Sequence, residues 1–325
     1  MDELELQVPL KGFDDVTPIP QDDGPNPVVP IAYRHNYKVA GDYLRAFQAS
    51  GETSERALSI TRLVLEHNPS HYTAWWFRRS RCIFALGIDL AKELDVAEDI
   101  AGYNPKNYQA WYHRRALTEH RGDPGKELEY VDRVVEEDPK NYHAWSHRQW
   151  VLQEFRILDT EEGRRSELLA VDALLEEDLR NNSAWNHRWF VLHSSLGQNE
   201  VLSNEAVRSE LAYALGYVQH APSNESPWNY LRGFFRASAR SYAEFPEVEK
   251  TARSLQKTKL GAKSPHVHSL LAEIYEREGT EEALNEAINA LQRLRNELDV
   301  IRAKYWETRL RAVTRRLADL VTSTA

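Results

Sequence analysis

Cysteine and methionine are almost absent, with Cys82 and Met1 the single examples of each in 325 residues. One thiol cannot close an internal disulfide or build a cysteine cage for a metal, and it suits a reducing compartment. Long apolar runs are lacking as well, since no stretch nears the ~18 uninterrupted apolar residues of a membrane span. The opening MDELELQVPL is acidic and carries no basic region followed by an apolar run, so no secretory leader is expected and the protein reads as cytoplasmic. Positive charge is not in surplus either. A formal charge of −9 disfavours a chain whose main task is to hold the phosphate backbone of nucleic acid. Nowhere does the sequence alternate in the manner of a half-buried strand.

What the chain does have is tryptophan, nine in all, and most of them recur in one setting. Aligned on that residue, the sequence reads NPSHYTAWWFRR at Trp75, NPKNYQAWYHRR at Trp111, DPKNYHAWSHRQ at Trp145, DLRNNSAWNHRW at Trp185 and APSNESPWNYLR at Trp228, at intervals of 36, 34, 40 and 43 residues. Periods of this length belong to helical hairpins that cannot bury an apolar face alone and must stack on their neighbours. The first helix of a unit is seen in KELEYVDRVVEED, from Lys126 to Asp138, with Leu128, Val131, Val134 and Val135 at helical spacing. Asn-Pro or Asp-Pro then closes it, and Asn107, Asn141, Asn181 or Asn224 is placed to cap the second helix. That helix carries the tryptophan and, three residues on, Arg78, Arg114, Arg148 or Arg188. The fifth unit departs, with Pro227 for the alanine and Leu231 for the arginine. The fold expected is all-α, a right-handed α-α superhelix (crescent) of tetratricopeptide-like hairpin repeats over residues 32–325, with Trp306 in a degenerate last unit. Ahead of it, residues 1–31 form an extended arm, because Pro9, Pro18, Pro20, Pro25, Pro27 and Pro30 block regular helix.

Most of the chemistry-bearing residues have a structural explanation. HRGDPGKE, around Gly122, lacks the spacing and the Ser/Thr of a phosphate-binding loop and reads as a turn between helices. His266 and His268 form His-x-His with no further ligands near them in sequence. His113, His147 and His187 recur at the repeat period, as do Arg114, Arg148 and Arg188, which suits packing, with the arginines bridging to carboxylates or helix ends. The turns are more ambiguous. A cation stands five residues before the tryptophan in three units, as Lys106, Lys140 and Arg180, where the outer units have Ser70 and Ser223. Beside Tyr108, Tyr142 and helix N-termini these cations suit an anionic ligand; they equally suit solvated turns.

The strings PKNYQAWYHRR, PKNYHAWSHRQW and RNNSAWNHRW closely resemble the repeats of the α subunit of the protein prenyltransferases, the subunit shared by farnesyltransferase and type I geranylgeranyltransferase. The likeness covers most of the chain, taking in VTPIPQDDGPNPVV, HRQWVLQEF, NESPWNYLRG and IRAKYW. It implies a heterodimer with a β subunit, moving a farnesyl or geranylgeranyl group from its diphosphate to the cysteine of a Cys-a-a-X protein. Zinc would then be held by the β subunit, and magnesium would assist the farnesyl reaction. By the same resemblance Lys106 and Tyr108 stabilise the departing diphosphate, Gln109 binds the peptide carboxylate, and Asn141, Tyr142 and His143 line the diphosphate side. The competing reading is a noncatalytic helical-repeat adaptor for peptides, in which Lys106 and Lys140 would be interchangeable.

Overall fold

The computed structural model describes residues 6, 8, 10–102, 104–194, 196, 200–238 and 240–324, so Pro9 of the proline arm lies outside the described residues. Contacts divide the chain into two compact units, Met1–Ile157 and Leu158–Ala325. No strand occurs among the described residues. In the first unit the helices are α1 His35–Ser50, α2 Glu55–His67, α3 Tyr72–Phe77, α4 Phe84–Leu86, α5 Leu90–Ala101, α6 Tyr108–Arg121, α7 Glu127–Glu137 and α8 Tyr142–Glu154, with a wider π-helical turn, Arg78–Ile83, joining α3 to α4. The second holds α9 Glu161–Glu177, α10 Asn182–Ser194, α11 Asn204–His220, α12 Glu225–Arg236, α13 Pro246–Gln256, α14 Pro265–Glu278, α15 Glu281–Arg293 and α16 Ala303–Thr324. Consecutive helices pair as hairpins, α5 with α6 and α7 with α8 in the first unit, α9 with α10 and α11 with α12 in the second.

The repeated tryptophan does two jobs. Its ring is buried in each of the five units. Its indole Nε1–H donates to the carbonyl six residues earlier: Trp75 to Pro69, Trp111 to Pro105, Trp145 to Pro139, Trp185 to Leu179 and Trp228 to Pro222, at 2.8, 2.8, 2.9, 3.1 and 2.9 Å. A buried N–H left without this acceptor would cost about 1–3 kcal/mol, so the bond fixes the turn against the helix that follows it. Trp306 is buried too, but its N–H goes to the Asp299 carboxylate at 2.9 Å, because a short 3-10 turn, Val300–Arg302, precedes it in place of the Pro turn.

Each expected asparagine cap is present. Asn107, Asn141 and Asn181 accept from the backbone N–H groups two and three residues on. Asn224 accepts only from Ser226, since the third residue on is Pro227, which has no N–H to offer. Proline is tolerated there because the first helical turn has no intrahelical acceptor to lose.

HRGDPGKE is a helix-ending turn. Gly122 lies in the left-handed region (φ 72°) and donates to the Thr118 and Glu119 carbonyls, closing α6. In the second unit Gly233 serves packing, since a Cβ there would stand 2.6 Å from the Trp189 ring.

The N-terminal arm is bound to the first hairpin. Phe13 is buried edge-on against Tyr43, with ring centres 5.3 Å apart, and beside Phe47. The Ile19 N–H donates to the Asp42 carbonyl at 3.0 Å, Arg45 Nε returns a bond to the Ile19 carbonyl at 2.8 Å, and Arg56 pairs with Asp15 at 2.7 Å. Proline thus keeps the arm extended, and α1 and α2 anchor it through the Gly12 and Ile19 backbone.

Candidate functional site

Two layers of side chains follow from the repeat, one buried and one on the turns. In the buried layer Arg78, Arg114 and Arg188 of the second helices each meet a carboxylate from the following first helix, while Arg148 reaches Asp132 of α7 at 2.5 Å. Arg78 grips Glu93 with both Nε and Nη2, at 2.6 and 2.7 Å, and Arg114 grips Glu127 at 2.8 and 2.9 Å. The same carboxylates then accept from the histidine of the next second helix, Glu93 from His113 at 2.9 Å and Glu127 from His147 at 2.7 Å. In the second unit Glu167 accepts from His187 at 2.9 Å, and Glu210 binds Arg188 at 2.7 and 2.9 Å. Where the fifth repeat lacks the histidine, the Tyr230 hydroxyl takes its place and donates to Glu210 at 2.6 Å. Leu231 occupies the usual arginine position, and Arg232, one residue later, reaches Glu273 at 3.1 Å.

Charge in this layer is matched. Burial pushes the Glu93 and Glu127 carboxyls up, yet the hydrogen bonds from His113 and His147 and the nearby guanidinium groups outweigh it and hold both below the usual carboxylate range. Burial lowers His113 and His147, against the pull of their carboxylate partners. The rings are therefore neutral near pH 7, donating through Nε2. His113 Nδ1, buried and without a partner, fits that tautomer, since a bare nitrogen in the core is less costly than an orphaned N–H. These residues are structural, as their periodicity implied. The carboxylates that complete them carry a signal in the sequence: Glu93, Glu127, Glu167 and Glu210 each precede leucine and stand 18 residues before the tryptophan of their repeat.

The turn layer is different. Lys106 is 70% exposed and its Nζ lies 3.2 Å from an oxygen of Asp138 in the next turn. Asp138 is the residue of this group that the sequence pattern alone did not single out. Tyr108 and Tyr142, first residues of α6 and α8, are 67% and 70% exposed. Between them sits the half-buried His143, edge-to-face with Tyr108 at 4.2 Å and with Tyr142 at 5.4 Å, and stacked over Trp111 at 6.4 Å. Partial burial lowers the His143 imidazole. Gln109 is half-buried beside them, its backbone N–H fixed by Asn107. Asn141 is buried, capping α8 with its oxygen and donating from Nδ2 to the Pro105 carbonyl at 3.3 Å. It ties the Asp138 turn to the Lys106 turn. All six residues singled out from the sequence therefore fall on two adjacent turns of the first unit, whereas Arg180 belongs to the second unit. An ammonium, two phenols and two helix N-termini on an open surface favour an anion. Among the described residues no group of three or more His, Cys, Asp or Glu side chains could hold a metal ion, and no helix is long and apolar enough to cross a membrane. Cys82 is buried, and burial pushes its thiol up to about 11, which leaves it inert.

The model of the protein prenyltransferase alpha subunit repeat matches residues 54–80, 90–121, 124–155, 164–195 and 207–238. A relative from Dictyostelium discoideum, protein farnesyltransferase/geranylgeranyltransferase type-1 subunit alpha, is 36% identical over 312 residues, covering 94% of this chain and 93% of that protein. The chain belongs to the protein prenyltransferase α-subunit family. A Pisum sativum prenyltransferase α subunit of the same description is 37% identical over 262 residues, 79% of this chain and 76% of that one. Among solved structures, Candida albicans protein geranylgeranyltransferase-I complexed with GGPP matches with a TM-score of 0.79 at 31% identity, covering 92% of this chain and 97% of that chain. The five matched repeats of this prenyltransferase α subunit each contain one of the aligned tryptophans, and the second and third carry the turns described above.

Proposed function

We propose that this chain is the α subunit of a heterodimeric, cytoplasmic protein prenyltransferase that acts with a β subunit on Cys-a-a-X proteins, and that its turn layer stabilises the leaving group. In the reaction a cysteine thiolate forms an S–C bond to C1 of farnesyl or geranylgeranyl diphosphate. The C1–O bond breaks and its electron pair leaves with the diphosphate, whose negative charge rises in the transition state. Donors fixed in advance around that oxygen lower the barrier without reorganising. Lys106 supplies an ammonium and Tyr108 a phenol; Tyr142 and His143 complete the wall on the diphosphate side. Asn141 acts by holding the two turns together, because its own amide is already in use. Gln109 is assigned to the carboxylate at the end of the peptide. Zinc, where bound, would supply the thiolate, and magnesium would assist the diphosphate. No described residue of this chain forms a site for either, so no step is assigned through them.

The observation that carries this reading is the exposed Lys106–Tyr108–His143 group on an open face, a half-site that a second subunit must close. The test is co-expression with β subunits and transfer of labelled farnesyl or geranylgeranyl to a Cys-a-a-X peptide. Activity should need both chains and fall about 10²- to 10³-fold in single turnovers of Lys106→Ala, with the heterodimer still formed. Transfer that ignores the substitution would remove Lys106 from the reaction, and failure to associate with any β subunit would return the chain to the adaptor class.

A further inference from the structure

The first residue of the first four turns has a job that asparagine performs as well as aspartate. Asn68, Asn104, Asp138 and Asp178 each accept, through Oδ1, the N–H two residues on, at 3.2, 3.1, 3.3 and 2.8 Å. A carboxylate is not required for that bond. At position 138 it does something more, because the second oxygen reaches back 3.2 Å to Lys106 of the preceding turn. The aspartate, at 31% exposure, is tied into its own turn, while the lysine, at 70%, has no other hydrogen-bonding or ionic side-chain partner among the described residues. Lys140, at the equivalent place one turn on, makes no ion pair among the described residues of its own unit, the next turn's Asp178 belonging to the second unit.

Resting on the reading of Lys106 given above, we infer that Asp138 is a positioning residue for the transfer reaction. It holds the Lys106 ammonium while the site is empty, and it competes with bound diphosphate for that ammonium before the bond breaks. An interaction made equally in the ground and transition states tightens binding without raising the rate of the chemical step. By sharing the ammonium at first and yielding it as the C1–O electron pair moves onto the diphosphate, Asp138 reserves part of the attraction for the transition state. The result is weaker ground-state binding together with faster turnover and product release.

Asp138→Asn isolates this role, because asparagine already forms the same turn at positions 68 and 104. In the assembled heterodimer, equilibrium binding of farnesyl diphosphate and the single-turnover rate would be measured for Asp138→Asn, Lys106→Ala and the double variant, with melting temperatures as a control. Expected is binding tightened about three- to ten-fold and a single-turnover rate lowered by a similar factor, leaving kcat/KM nearly unchanged. Both changes should vanish in the Lys106→Ala background. Binding and rate that match the wild type, or effects that persist without Lys106, would overturn the inference. An unchanged single-turnover rate in Lys106→Ala alone would instead overturn the leaving-group assignment beneath it.

Discussion

The buried arginine–glutamate–histidine layer and the exposed turn layer are written by the same repeat, a few residues apart, yet they obey different rules. In the buried layer Glu93, Glu127 and Glu210 are each shared between neighbouring repeats, and where the fifth repeat lacks the histidine another donor, Tyr230, fills the place. Along the turns the lysines recur in sequence, but Lys106 has a cross-turn partner and Lys140 has none among the described residues of its own unit. Strict periodicity therefore marks what packing demands, and under the function proposed above the turns are where the ligand is met.

The comparison breaks most severely at Glu127. Replacing it with alanine strands Arg114 and His147 in the core, and removing one member of a buried ion pair costs about 3–5 kcal/mol. The melting temperature of the heterodimer should drop sharply while the transfer rate per folded complex holds. Lys106→Ala should do the reverse, losing the 10²- to 10³-fold of rate set out above with thermal stability unchanged, since its pair is exposed. If both variants lost stability alike, the two layers would be one.

Acid should separate the layers more gently. His113 and His147 are lowered in the folded chain, so their contribution is complete above the unfolded value of about 6.5 and is lost as pH falls toward the folded one. Glu93 and Glu127 are lowered too, and theirs is complete above about 4.3 and lost below it. Both signs agree. The urea midpoint should be flat above neutrality, begin to fall near pH 6 and steepen near pH 4, with Glu127→Gln flattening the lower part. The smallest effect belongs to Lys140→Ala, expected to stay within about 0.5 kcal/mol of wild type in stability and to leave single-turnover transfer unaltered. A loss as large as that of Lys106→Ala would restore the equivalence of the two turns.

Much of this was legible in the chain itself. Tryptophan spacing, asparagine caps and the proline-bounded turns gave the hairpins, because each depends on neighbours within about one helical turn. The placing of Lys106, Tyr108, Gln109, Asn141, Tyr142 and His143 on adjacent turns was legible for the same reason. The partner of Lys106 was not. Asp138 lies 32 residues further on, in a position that reads simply as a helix-ending Asp-Pro, and only stacking brings its second oxygen to the ammonium. The glutamates of the buried layer hid in a different way, since the first helices carry other acidic residues and those that turn inward are distinguished by a following leucine and their distance from a tryptophan. The resemblance places Asn141 on the diphosphate side, and its structural work, capping α8 and donating to the Pro105 carbonyl, shows only once the turns are stacked.

That constant distance of 18 residues works as a ruler inside each repeat, while the stretch from a tryptophan to the next inward glutamate runs to 18, 16, 22 and 25 residues. Within a hairpin no residue can be added without pulling a carboxylate off its histidine or, in the fifth repeat, off Tyr230. Between hairpins the chain has slack. Such a protein can lengthen at its inter-repeat connections, or trade one repeat for another, and still keep its spine; it has one safe place to grow per repeat, and the turns bearing Lys106 and Asp138 are not among them.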